Sequence, residues 1–295
     1  MQALISALAA GLVAVLVTVA IEKLGGRRGG LLGTIPTTIV PASIGFWWVA
    51  AGVPDFRKAL FVVPAGMMLN ALFLWLWREL PERLPAWSLG ARLVTMVFVS
   101  FIAWSILAVL VLLATDAYRS AGFPMVLWGL AFFVLAVLLG IAACVRKRPS
   151  PAGTRRVGAL VLMGRGLLAA LAIGLAVVIA SVSSPIIAGM VSVFPAIFFT
   201  TMIALWISQG EAVPSGAVGP MMLGSTSVSA YALLAALIIP LAGPGAGALL
   251  AWVGSVLFVT IPAWFLLHAL ADKDPHRITT PASPKTPSRM ASAGQ

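Results

Sequence analysis

Apolar residues gather along this chain in blocks of about 20, separated by short polar or basic stretches. Nine such blocks, roughly 3–21, 31–50, 59–77, 93–115, 123–145, 157–181, 186–207, 217–239 and 246–269, predict nine membrane-crossing helices. Each is long enough to traverse about 30 Å of hydrocarbon. One block departs from the rest. Residues 29–48, GGLLGTIPTTIVPASIGFWW, crowd glycine, proline and threonine into a segment that otherwise reads as membrane.

The basic residues between blocks set an orientation. Counting loops in order, the odd ones hold Lys23, Arg27 and Arg28, then Arg78, Arg83 and Arg92, then Arg146, Lys147, Arg148, Arg155 and Arg156. The C-terminal tail adds Lys273, Arg277, Lys285 and Arg289, whereas the even loops carry only Arg57, Lys58 and Arg119. By the positive-inside rule the N-terminus lies outside and the C-terminus in the cytoplasm, which requires an odd number of crossings.

A shift of the sequence against itself reveals a repeat. GLLGTIPTTIVPASIGFW lies over GMVSVFPAIFFTTMIALW, pairing Gly30 with Gly189, Pro36 with Pro195, Ile44 with Ile203 and Trp47 with Trp206, always 159 positions apart. Further on, PAGMMLNALFLW resembles GPMMLGSTSVSA, with Asn70 where Gly224 stands, and Ala103-Trp104 lies over Ala263-Trp264. The chain therefore divides into a first four-helix repeat, 1–115, a linker helix with a basic loop, 116–157, and a second four-helix repeat, 158–270. A polar tail, 271–295, follows. Four spans plus one connector is odd, so the second repeat enters the membrane inverted. Inverted repeats characterise secondary transporters, whose substrate sites lie near the midplane where discontinuous segments meet.

Composition agrees with the pattern. The 295 residues are 61% hydrophobic and only 9% charged, with a mean hydropathy of +1.08. A soluble domain cannot reach that balance. The formal charge of +11 falls between apolar blocks, so it marks topology and not a nucleic-acid surface. The single cysteine, Cys144, leaves neither an intrachain disulfide nor a thiolate metal site. The first block resembles a signal peptide in its small residues, but its basic residues follow it instead of preceding it, and we expect it to be retained. The tail is rich in Pro, Ser and Thr with almost no large apolar residue, the composition of a disordered cytoplasmic segment.

MGRGLLAALAIGLAVVIASVSSPIIAGMVSVFPAIFFTTMIALWISQG, in the second repeat, resembles the GlpM-type family of small four-span bacterial inner-membrane proteins. The likeness rests on the basic residue early in the first span, the AGMVSVFPAIF element opening the second, and the four-span length. It covers most of 158–270 and, more faintly, 1–115. The resemblance implies a duplicated and fused unit in a bacterial inner membrane and names no substrate.

Candidate chemistry follows from the breakers. Pro36 and Pro195 each remove a backbone donor, freeing carbonyls that need partners in lipid. Thr34, Thr37 and Thr38 supply hydroxyls at the first break, and Thr200 and Thr201 do so at the second. Ser225, Thr226 and Ser229 lie in GSTSVSAY, the most polar stretch inside any block, and Asn70 is aligned beside them. With Pro36 and Pro195 these residues are the candidate substrate pathway. The alternative is tight packing through small residues, with threonines bonded to their own i−4 carbonyls. Glu22 and Glu211 border the two repeat elements and, with Arg165, are candidate entrance or gating groups. For Arg165, about two to three turns from the cytoplasmic end, snorkelling is the favoured explanation and anion attraction the remaining one.

No catalytic set emerges. Ser215 lacks a nearby base, since His268 ends the last span on the opposite side and His276 is in the tail. Two histidines without clustered carboxylates make no metal site. Trp47, Trp48, Trp75, Trp77 and Trp206 read as interfacial anchors. The sequence thus predicts an all-α polytopic protein of the bacterial inner membrane, two inverted four-helix repeats joined by a linker helix, with no enzyme activity and no cofactor. Its partners are the lipid bilayer and a small ion or polar solute, not nucleic acid; self-association is open. Neutral hydroxyls suit a cation or neutral solute, and Arg165 leans towards an anion. The competing expectation is a non-transporting scaffold for a partner such as an envelope assembly.

Overall fold

The computed structural model describes residues 3–12, 15, 35–146, 159–182, 184–210 and 212–272, and every element among them is helical. In chain order these are α1 (Ala3–Leu12), α2 (Ile39–Val49), α3 (Val53–Glu79), α4 (Leu89–Ser120), α5 (Met125–Val145), α6 (Ala159–Val182), α7 (Pro185–Ser192), α8 (Ala196–Gln209), α9 (Ala212–Ala242), α10 (Pro244–Ser255) and α11 (Ile261–Asp272). A five-residue π turn, Val256–Thr260, joins α10 and α11 into one span. A single 3-10 turn, Pro81–Arg83, interrupts the connection from α3 to α4.

Local chemistry sets the boundaries. Ser88 and Ser184 cap α4 and α7, their hydroxyls accepting from the backbone N–H of Ala91 and Ile187, each at 3.3 Å. Gly210 and Gly243 end α8 and α9 at φ of 82° and 78°, a left-handed turn that side chains resist.

Among the described residues, six helices are long and apolar enough to cross a membrane: Val53–Glu79, Leu89–Ser120, Met125–Val145, Pro185–Ile207, Val218–Ala242 and Pro244–Leu270. Three more apolar helices are shorter within the described residues, Ala3–Leu12, Ile39–Val49 and Gly166–Val182. The rows of exposed leucine, valine and phenylalanine on α4, α5, α6 and α10 are stable only against hydrocarbon, and the chain is a membrane protein.

Burial separates the helices into a centre and a shell. The most apolar windows of α3 and α9 are each 78% buried, against 22% for α4, 22% for the α10–α11 span and 17% for α5. α3 and α9 are the central posts, packed on each other. α5 lies in the groove between them, where Gly129 meets Leu233 and the Phe61 carbonyl, and Gly140 meets the Leu223 backbone. A side chain at either glycine would collide with a helix. As α5 advances from 129 to 140, its contacts on α9 recede from 233 to 223, so the two run antiparallel.

α1 and α6 also cross antiparallel through small residues. A Cβ on Gly174 would lie 3.0 Å from the Ala7 Cβ, one on Gly11 would lie 3.1 Å from the Ala170 Cβ, and one on Gly166 would lie 2.7 Å from Val15. These pairings are reciprocal: 7 meets 174, 15 meets 166, and 11 meets 170, which is 159 positions on.

Candidate functional site

The second broken segment is fully described. α7 stops at Ser192, the chain turns through Val193, Phe194 and Pro195, and α8 resumes at Ala196. Turn bonds close part of the gap: Val193 N–H reaches the Met190 carbonyl at 3.3 Å, and Phe194 N–H the Val191 carbonyl at 3.0 Å. The Val193 carbonyl points away from its own helix and accepts from Asn70 Nδ2 of α3 at 2.8 Å. Asn70 Oδ1 in turn accepts from Trp104 Nε1 of α4 at 2.9 Å. Asn70 is 2% exposed, so one buried amide ties three helices at the break. Phe194 stacks edge-on against Trp104 with centroids 5.2 Å apart. Gly66 of α3, one turn before Asn70, leaves room for Val193 and Met190.

The first broken segment enters the described residues at Ile35. Thr37 N–H bonds the Ile35 carbonyl at 2.8 Å, Pro36 is buried, and α2 begins after Thr38, whose side chain makes no capping bond. From α2, Ser43 Oγ donates to the Val40 carbonyl at 2.8 Å. Tyr231 of α9 therefore donates its phenol proton to Ser43 Oγ, 2.7 Å away. The helix that follows Pro36 and the interrupted α7–α8 thus each bond a central helix distant in sequence: α2 to α9 through this pair, and α7–α8 to α3 through Asn70.

Proline inside α9 creates a further free carbonyl. Pro240 has no N–H for Ala236, and Arg57 Nε supplies the missing donor from α3 at 3.2 Å.

The remaining hydroxyls bond their own helices. Thr200 reaches the carbonyls of Ala196 and Ile197 at 3.0 Å each, and Thr201 that of Ile197 at 2.7 Å. Ser225 reaches Met222 at 2.9 Å and Thr226 reaches Leu223 at 2.6 Å. Ser229 Oγ differs, being buried without a hydrogen-bond partner. Asn70, Pro195, Thr200 and Thr201 thus gather around the second break or its helix, and Ser225, Thr226 and Ser229 lie on α9. Thr34, Glu22 and Glu211 lie outside the described residues, as does the side chain of Arg165 in α6.

No family model, curated protein or solved structure matches this chain. What the site does must come from its own geometry.

Two features escaped the sequence reading. Arg78 counted as a loop charge, yet it is 4% exposed. Its Nη1 donates to the Ala143 carbonyl at 2.7 Å, its other terminal nitrogen to the Arg146 carbonyl, and its guanidinium lies 5.7 Å from the Trp75 ring centroid. It closes the C-terminus of α5, where the last carbonyls have no partner in the helix and the dipole favours a cation. Trp77 and Trp206 are corrected as well. Both are fully buried and meet edge-to-face at 5.8 Å, so they are core contacts between α3 and α8 and not interfacial anchors. Arg78 follows Trp77 directly and lies about two turns beyond Asn70 on α3, a helical register that signals burial better than a count of loop charges.

Proposed function

We propose that this chain is a membrane transporter of the secondary type, two inverted four-helix units that move a small ion or polar solute at their interface. The observation that carries the reading is the exchange of broken segments. The short α2 leans on α9 of the other half, and the interrupted α7–α8 leans on α3. The reciprocal α1–α6 pairings at a separation of 159 positions, and the antiparallel course of those helices, support two opposed units with nine crossings. A helix interrupted deep in a bundle is tolerated in lipid only where protein or a wet cavity receives its bare backbone groups. At Val193 that receiver is the Asn70 amide, a single side chain that a substrate or water would have to replace.

The test is uptake or current in proteoliposomes across a panel of inorganic ions and small metabolites, comparing the native chain with a Thr37→Ala, Thr38→Ala, Ser225→Ala variant. Transport lost in a folded variant supports the reading. A second reading is favoured by one observation, the hydroxyls of Thr200, Thr201, Ser225 and Thr226 bonding their own backbone, which leaves them as packing groups. In that case the chain is a non-transporting accessory subunit of the inner membrane. A flat panel together with stoichiometric co-purification of a second membrane protein would favour it.

A further inference from the structure

We infer that the crevice where α4, α6 and α7 meet is a binding site for an acyl chain of a membrane phospholipid, seated against the broken segment. The cavity has a volume of about 350 Å³ and is walled by Trp104, Phe194, Leu168, Leu171, Ala172 and Leu175, with Val191 at its side. That size falls within the usual range of ligand sites, about 300–1,000 Å³. Its walls present almost no polar atom, so an ion, a sugar or a charged headgroup would lose its hydration there and gain nothing. A stretch of hydrocarbon chain fits both the volume and the chemistry; an entire lipid does not.

Two observations separate this crevice from an ordinary dent in the lipid-facing surface. First, the mouth is continuous with the lipid-facing belt: Leu168, Leu171 and Leu175 are exposed along one face of α6, so a chain enters sideways from the bilayer. Second, the back wall is built and held. Trp104 is fixed by its bond to Asn70, and Phe194 by edge contacts at 5.2 Å with Trp104 and 6.2 Å with Phe101. A rigid apolar hollow left empty forfeits dispersion contacts with nothing to replace them, whereas a chain restores them without reordering the walls. The occupant would touch Phe194, the neighbour of Val193, and so report on the break itself. This inference rests on the membrane setting of the helices and is independent of the transport reading.

The test uses the full chain in nanodiscs of phosphatidylethanolamine and phosphatidylglycerol containing a small fraction of phospholipid with a mid-chain diazirine. After illumination, adduct positions are read by mass spectrometry. Leu127 and Leu138, exposed on α5 and outside the crevice, serve as the reference for bulk lipid. Adducts at Leu171, Leu175 and Phe194 are expected to exceed those at the reference roughly tenfold, a difference of about 1.4 kcal/mol. Ala172→Phe, which fills the hollow, is expected to abolish the excess while leaving the reference unchanged. Ala172→Ile gives the same reading with less crowding should the larger side chain lower the thermal midpoint. Equal labelling of crevice and reference, or an excess that survives both filled variants in folded protein, would overturn the site.

Discussion

The most apolar windows of the two central helices are buried to the same share, and the helices place their polar groups in opposite ways. α3 reaches outward: Arg57, Asn70 and Arg78 each satisfy carbonyls on a different helix, namely Ala236 on α9, Val193 at the break, and Ala143 and Arg146 at the end of α5. α9 turns inward, with Ser225 and Thr226 bonding the turn before them. Withdrawing α3 from its neighbours would expose bare carbonyls to hydrocarbon, at a cost of several kcal/mol for each. Sliding past Ser225 and Thr226 would break neither of their bonds, since both lie within α9. Equal burial therefore conceals unequal bonding: α3 donates from three side chains to carbonyls outside its own helix, whereas Ser225 and Thr226 of α9 donate only within theirs. Two bonds do tie α9 to other helices, Tyr231 to Ser43 of α2 and the Ala236 carbonyl to Arg57 of α3.

The sharpest way to break this comparison is Arg78→Met. It removes the cation from α5's C-terminus and leaves the Ala143 and Arg146 carbonyls without this donor, an expected loss of about 3 kcal/mol or more. The loss should appear as a lower thermal midpoint in detergent and faster reaction of buried Cys144, at the same helix end, with a thiol reagent. Arg78→Lys, which keeps the charge without the fork, should recover part of it.

Asn70→Leu comes next. It removes one donor and one acceptor at the break, about 2 kcal/mol, and should raise backbone hydrogen exchange at 193–195 more than elsewhere. Asn70→Asp should behave differently, keeping the acceptor for Trp104 while losing the donor to Val193. A smaller effect is expected from Tyr231→Phe, about 1 kcal/mol by equilibrium unfolding, because Ser43 retains its bond to Val40.

Smallest of all should be Ser225→Ala and Thr226→Val, within about 0.5 kcal/mol, since each hydroxyl bonds only its own helix. If these two prove as costly as Asn70→Leu, the distinction between α3 and α9 is lost.

Much of the fold was legible from apolar block length, because a bilayer imposes a minimum span that sequence displays directly. The break at Pro195 was legible for the same reason: proline cannot donate, and the pattern around it repeats that around Pro36. The partners of the freed groups were not legible. Asn70 was marked as polar lining beside Ser225, yet its amide is committed to Val193 and Trp104, contacts 123 and 34 residues away that no local period encodes. Arg78 was misread because a charge next to a span end resembles a topology signal whether it faces water or folds back onto a helix terminus. The hydroxyls were the opposite case: their bonding to i−3 and i−4 carbonyls is local, and it was one of the two readings the sequence offered.

The account depends on the two halves being opposed, and side-specific cysteine labelling addresses that directly. In a Cys144→Ser background, single cysteines are placed at two exposed positions, Pro85 in the connection after α3 and Ala242 at the last residue of α9. The account predicts that an impermeant thiol reagent added outside intact cells labels Ala242→Cys and spares Pro85→Cys until the membrane is opened. Labelling of both positions from the same side would contradict it.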